Sequence, residues 1–424
     1  MRALTSFLNR HAWAKRAAYA GFDATVAGAT RLGFDLRRRR AAFVGDSHRS
    51  IGDLLEWHAQ DAGVTRRDGP LARATESIEI DPPHHIEVRP PAHFLDSECS
   101  GYSHLWRRVA EGYLLNSCEI LELASARFHL PSGIVASHGR FPSETISLDG
   151  FPFRWQYFDC MRALWAPARH VPDGYLLSLQ QSRNYYHWLC EVLPLAFALM
   201  RDEQWGRQPV YVGADLPPFV FEYLRLLGLD RSCQPLRRGV YTANRLRVAS
   251  FPGGSEWPSP DHLRRVRDAC LDAVGPAPTN RRRLYISRTD AVDRRVANED
   301  DVLRAVGDLG FERVTLSGLG VLEQIRLFQT ADIVLAPHGA GNANMLFAPA
   351  DAMLLELMGP VLYSACFMVV TSSIGQLYGY VGCPQRGRDL VVDPSAVRTV
   401  LERLIRTREE ARLAPHAYQA PERR

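Results

Sequence analysis

The stretch DIVLAPHGAGNAN (332–344) delivers an apolar strand directly onto a Gly-rich turn and a helix start. Free backbone N–H groups and the positive end of a helix dipole favour an anion at such a place. Gly339 and Gly341 allow close backbone approach on either side of Ala340, while His338 and Asn344 add side-chain donors. Glu356, at the carboxyl end of the next strand, stands where a Rossmann-like unit puts an acid on ribose hydroxyls. RRLYISR (282–288) ends another strand with Ser287, a neutral donor, and Arg288, which can reach a diphosphate through charge-assisted bonds. The residues alone also fit a tight turn whose glycines serve packing and an ordinary exposed arginine. A second constellation lies in NYYHWLCEVLPLAFAL (184–199). If that run is helical, Asn184, His187 and Glu191 share one face among Tyr185, Trp188, Leu189, Val192 and Leu193. The stripe is then either a satisfied buried network or the lining of a site.

The elements that must position these groups follow from periodicity. From 282 onward strand and helix alternate at βαβ spacing. Strands are expected over 282–288, 311–316, 332–337 and 352–357, with helices over 298–310 and 321–331 and a loop running into a helix over 338–348. Asn298 reads as a helix cap, the acids after it as first-turn charges and Gly310 as a stop. Glu323 and Gln324 likewise read as residues favouring a helix start. Upstream, 208–214 and 244–250 read as strands around a helix over 217–229, and FPGGSEWPSP (251–260) reads as a domain boundary. Between about 90 and 180 the short, broken apolar runs suggest strands and loops. The resulting divisions are 1–80, a basic and partly helical extension; 81–260; 261–400; and 401–424, a terminal helix and tail.

With 46% hydrophobic and 23% charged residues, the 424-residue chain has the composition of a soluble globular protein. The net charge is 51 − 47 = +4, and Lys15 is the only lysine, so the arginine bias is no nucleic-acid signal. Eight scattered cysteines without CxxC argue against a zinc ribbon or a disulfide framework and fit a reducing compartment. No apolar run approaches the roughly 18 residues of a spanning helix, and the N-terminus lacks a secretory core. A cytoplasmic location is expected. Residues 1–40, with nine Arg/Lys against Asp23 and Asp35, read first as a solvated extension and second as a peripheral contact with an anionic inner membrane face.

Five blocks in order resemble glycosyltransferase family 61, whose bacterial members are usually labelled capsular polysaccharide biosynthesis proteins. They are NYYHWLCEVLPLAFAL, RLYISRTDAVDRRVANEDDVLRAV, GFERVTL, LEQIRLFQTADIVLAPHGAGNANMLF and the acid of LLEL, covering roughly 180–360. The chain departs from the family at Asn342-Ala343, where Leu-Thr is common after HGAG. The resemblance implies an α/β, GT-B-like fold: two Rossmann-like, doubly wound domains facing across a cleft, the second holding the donor. It implies inverting transfer from a nucleotide-sugar, foremost a UDP-sugar, to a glycan or lipid-linked acceptor, with no nucleic-acid partner. Ser287, Arg288, His338, Gly339, Ala340, Gly341, Asn344 and Glu356 would then bind donor. His187 would be the base, with Glu191 orienting its ring and raising its basicity, or Glu191 would itself be the base. No D-x-D motif appears and His-x3-Glu supplies too few ligands, so neither a metal nor a cofactor is expected.

Three other readings compete. FVGDSHRS (43–50) with DPPH (81–84) resembles esterase blocks, but too little chain separates them for a domain. A dinucleotide fingerprint lacks its third glycine, replaced by Asn344, and too little chain follows Glu356. A non-catalytic scaffold binding sugar nucleotide or glycan is the main alternative.

Overall fold

A computed structural model describes residues 76–413, apart from 97–101, 103–105, 108, 140–141, 143–144, 146–156, 180, 254–256 and 361–363. The basic segment 1–40 and the block at 43–50 lie outside the described residues.

The chain forms a mixed α/β structure around two large sheets. The second is a six-stranded, wholly parallel sheet in the order Phe311–Thr315, Arg282–Ser287, Ala331–Pro337, Met353–Met358, Leu377–Gly382, His93–Leu95. Taken from Arg282–Ser287 as the first strand, the order is 2-1-3-4-5, a doubly wound arrangement. Its central strands, ADIVLAP and MLLELM, are continuous apolar runs because a parallel sheet covered on both faces demands burial at every position. Glu356 is the one charge in MLLELM and is fully buried. The edge strand His93–Leu95 comes from the block assigned by sequence to 81–260. Helix Pro394–Leu413 runs across the 401 boundary and packs on this sheet.

Where the resemblance implies a second doubly wound sheet, the first sheet is mixed. Glu76–Asp81, Cys118–Leu130 and Gly239–Ala249 pair antiparallel, and only beyond them do Gly174–Leu176, Val210–Gly213 and Cys233–Leu236 continue in parallel. Two long strands paired over ten residues set the antiparallel half, and both faces of Cys118–Leu130 contribute to buried clusters.

The entry to the His187 segment is built against this sheet. The turn after Cys118–Leu130 carries Gly133 at φ +69°, and a Cβ there would lie 2.1 Å from the Ser178 carbonyl oxygen and 2.7 Å from Leu179 Cα. The Ser178 hydroxyl donates to Pro131 O at 2.9 Å, and the Ser182 hydroxyl accepts from Leu179 N at 2.8 Å. Gly133→Ala meets rigid backbone and a left-handed φ together. It is expected to destabilise by ~2–5 kcal/mol, read as a lower denaturation midpoint at unchanged slope. A variant as stable as the parent would show that the two turns do not hold each other.

Candidate active site

In an open α/β sheet ligands sit beyond the carboxyl ends of the strands, at the point where the strand order reverses. Here that point lies between Arg282–Ser287 and Ala331–Pro337, so Ser287, Arg288 and His338 emerge beside one another. Gly339, in extended backbone, packs directly under Arg288: a Cβ would sit 2.1 Å from its Nη1. At Gly341 a Cβ would meet Leu316 Cδ1 at 2.6 Å. Both glycines therefore serve close approach.

The segment after them differs from the expected α-helix. Ala340–Phe347 is a run of 3₁₀ turns, so the full macrodipole of an α-helix is not available to an anion here. Neighbours claim its carbonyls. Arg267 donates to Leu346 O and, at 2.7 Å, to Ala348 O, and Gln376 Nε2 donates to Met345 O at 2.8 Å. Positive charge at the site comes instead from side chains.

Arg288 is half-buried and donates to Asp293 O at 3.0 Å. Arg294, which the sequence reading passed over, stands in a left-handed conformation at φ +59°, and its buried Nε has no hydrogen-bond partner. Among the described residues neither arginine makes an ion pair with a carboxylate. Burial holds both guanidinium pKa values below the usual arginine range, and for Arg288 the neighbouring Arg294 adds to this. Two neighbouring, partly desolvated cations that make no carboxylate ion pair among the described residues form a site for a polyvalent anion. The available signal was position: Arg294 lies in the same loop beyond the strand end as Arg288.

His338 and Glu356 form a buried pair, with Nδ1 2.7 Å from Oε1. Glu356 also accepts from the Tyr378 hydroxyl at 2.6 Å and, at 3.4 Å, from Asn342 Nδ2. Fully buried and so partnered, its carboxylate faces His338 rather than an open ribose position. Asn344 likewise has inward partners. Its Oδ1 accepts from the Tyr185 hydroxyl at 2.7 Å, and its Nδ2 donates to Gln324 Oε1 at 2.9 Å and to Gly341 O at 3.1 Å. It ties the 3₁₀ segment to the His187 helix, and Glu222, on helix Pro218–Leu226, caps Val321 N of the neighbouring helix Val321–Gln329 at 2.7 Å. Ser287 is buried with its hydroxyl 3.2 Å from that of Thr289, and Ala340 and Gly341 are partly exposed.

The His187 segment is a helix in three parts: Tyr185–His187, a π turn over Trp188–Val192, and Leu193–Leu199. Pro194 has no N–H to give to the preceding turn, and the wider π turn accommodates that missing donor. Asn184 caps the start, its Oδ1 accepting from Tyr186 N at 2.9 Å, so it stands at the helix end and not in the polar stripe. His187 Nδ1 and Glu191 Oε2 are 2.8 Å apart, both largely buried, while Trp188, Leu189, Val192 and Leu193 are fully buried around them. With Nδ1 committed to Glu191, any acid–base work falls to Nε2.

The structure joins this pair to the anion site through rings. His187 meets Tyr186 at 5.2 Å, Tyr186 meets Phe367 at 5.6 Å, and Phe367 meets His338 at 5.1 Å between centroids. A carboxylate-held histidine and a cationic anion site therefore flank one aromatic cluster, although each comes from a different part of the chain.

Another group of metal-ligand type, Asp81, Cys118 and His262, lies elsewhere. Arg265 makes two 2.8 Å bonds to the Asp81 carboxylate, and His262 Nε2 makes one at 2.9 Å. These bonds hold the Asp81 carboxyl far below the usual carboxylate range, and burial pushes the Cys118 thiol up to about 12. The group reads as a structural tie between strand Glu76–Asp81 and helix Pro260–Val274.

Residues 185–355 match the family model described as Glycosyltransferase 61. The chain is also similar to the beta-1,2-xylosyltransferase XAX1 of Oryza sativa subsp. japonica, at 39% identity over 98 residues. That alignment covers 23% of this chain and 16% of the rice protein, so the chain spans only a small part of that relative's length. The matched region contains His187, Arg288, Arg294 and His338, and both similarities support a glycosyltransferase of family 61.

Proposed function

We propose that the chain is a metal-independent, inverting glycosyltransferase of GT-B type that uses a nucleotide-sugar, foremost a UDP-sugar. The observation that carries this reading is the pair of half-buried arginines, Arg288 and Arg294, without carboxylate partners among the described residues, beside the Glu356-held His338. In the proposed step the acceptor hydroxyl gives its proton to His187 Nε2 and its oxygen bonds to the anomeric carbon. The bond from that carbon to the diphosphate breaks, and its electron pair leaves with the diphosphate. Arg288, Arg294 and His338 neutralise the charge that develops there, the task a divalent cation would otherwise perform. One displacement inverts the anomeric centre. A pentosyl group is among the candidate sugars, a reading supported by the name xylosyltransferase that the rice relative carries.

A glycan or lipid-linked acceptor of a surface polysaccharide, such as a capsule, fits the resemblance. It would place the protein in the cytoplasm, with residues 1–40 on the inner membrane face. Among the described residues no helix is long and apolar enough to cross a membrane.

The first test is thermal stability against UDP, GDP, CMP, ADP, NAD, NADH and UDP-xylose without added metal. UDP or its sugar is expected to raise apparent stability by about 2.7 kcal/mol at a hundredfold excess over Kd. That shift should be lost in Arg294→Ala and kept in His187→Ala. A shift with NAD or NADH alone would refute sugar transfer. Binding of UDP-sugar without turnover on any acceptor would favour the non-catalytic scaffold.

A further inference from the structure

The mechanism above uses His338 and leaves unexplained two tyrosines buried behind it. Tyr102 and Tyr378 are both almost completely removed from solvent, and their hydroxyls are 2.7 Å apart. Tyr378 donates its single proton to Glu356 Oε2, so Tyr102 must be the donor between the two phenols. Glu356 Oε1 lies 2.7 Å from His338 Nδ1, and a carboxylate can only accept, so Nδ1 carries a proton there. The proton order is thus Tyr102 to Tyr378 to Glu356, met from the other side by His338. Burial raises both phenol pKa values well above the usual tyrosine range, with Glu356 adding to the effect, so both stay protonated donors.

Tyr102 is not part of the second sheet's own βαβ succession. It arrives with the segment that contributes edge strand His93–Leu95, and aromatic contacts clamp that segment in place. Phe94 stacks on Tyr380 at 5.2 Å, Tyr102 meets Tyr380 edge-on at 4.7 Å, and Trp106 Nε1 donates to the Tyr380 hydroxyl at 3.1 Å.

We propose that Tyr378 and Tyr102 are positioning residues for His338: by holding Glu356 they keep its carboxylate on Nδ1–H and direct a protonated Nε2, as donor, to the diphosphate of the donor sugar. A segment preceding the first sheet's long strands thereby completes the site on the second sheet. The inference rests on the sugar-nucleotide reading given above, and it concerns residues that reach the ligand only by way of Glu356 and His338. Positioning shells of this kind set tautomer and ring direction where a histidine must act at one nitrogen.

The test is a double-mutant cycle on UDP affinity, measured calorimetrically with full-length wild type, Tyr378→Phe, His338→Ala and the double variant. Tyr378→Phe keeps the ring and removes one hydroxyl. It is expected to weaken UDP binding about 3–10-fold in the wild-type background. In the His338→Ala background it should change affinity hardly at all, because the group being positioned is gone. A packing role would instead give the same loss in both backgrounds. Tyr102→Phe, one step further out, should show the same dependence on His338 with a smaller loss, and it serves if Tyr378→Phe does not fold. Equal affinities for wild type and both tyrosine variants, or losses independent of His338, would overturn the inference alone. Failure of the wild-type protein to bind any nucleoside diphosphate would overturn the sugar-nucleotide reading and this inference with it.

Discussion

His187→Ala is expected to lower sugar transfer by about 10²–10⁴-fold while leaving nucleotide affinity within about twofold. The size follows from what a positioned base contributes when a hydroxyl must lose its proton during attack. The selectivity follows from position. His187 sits on the three-part helix, with Nδ1 held 2.8 Å from Glu191, and is separated from the anion site by Tyr186 and Phe367. Glu191→Gln separates the two candidates for the base. If Glu191 only orients the ring, the glutamine variant should keep a substantial fraction of the activity that His187→Ala loses, because an amide oxygen still accepts from Nδ1–H. If Glu191 is itself the base, the two variants should be equally inactive. The measurement is release of nucleoside diphosphate from the sugar nucleotide selected by the binding panel, with acceptor present, alongside the dissociation constant of the free nucleotide. Full activity in His187→Ala would remove this pair from the mechanism.

Gly339→Ala is expected to weaken nucleoside-diphosphate binding about 10–100-fold with only a small change in melting temperature. A Cβ at residue 339 would sit 2.1 Å from Arg288 Nη1 and 3.0 Å from its Cζ. Gly339 φ is −176°, an extended conformation open to any residue, so the added methyl brings no backbone strain. The conflict is with one arginine side chain, which can swing away at the expense of its bonds to Asp293 O. The protein should therefore stay folded and lose the guanidinium from the site. Arg288→Ala should weaken binding by a similar factor, and the combined variant should be little worse than either alone, since both remove the same group. Titration of the three variants with UDP decides the matter. Additive losses would mean that Gly339 meets the ligand through its own backbone, independently of Arg288.

What was legible in the sequence is local. The alternation of strand and helix from Arg282 to Met358 could be read because each central strand is a continuous apolar run bounded by glycines or caps, and burial on both faces leaves that mark. The approach of His187 to Glu191 followed from a spacing of four, which a helix, even one with a π turn, converts into neighbouring side chains. The placing of Ser287, Arg288 and His338 at one sheet end followed from strand ends alone.

The tertiary structure decided the rest, because it concerns which distant groups meet as water is excluded. Glu356 stands at the expected strand position, yet its partners are His338 and Asn342 from the Gly-rich turn and Tyr378 from the next strand. Asn344 lies in the Gly-rich turn, but Tyr185 and Gln324 take its side chain. The first sheet's antiparallel half and the recruitment of His93–Leu95 to the second sheet are pairings between remote strands, about which periodicity says nothing. Arg294 is marked by where burial leaves it: beside Arg288, partly dehydrated, with its Nε unpartnered. Residue type and spacing determined which elements form and which side chains share a face. The identity of each buried polar group's partner, and hence which charges remain for a ligand, was determined by packing, since an unpaired polar group is costly only once it is removed from water.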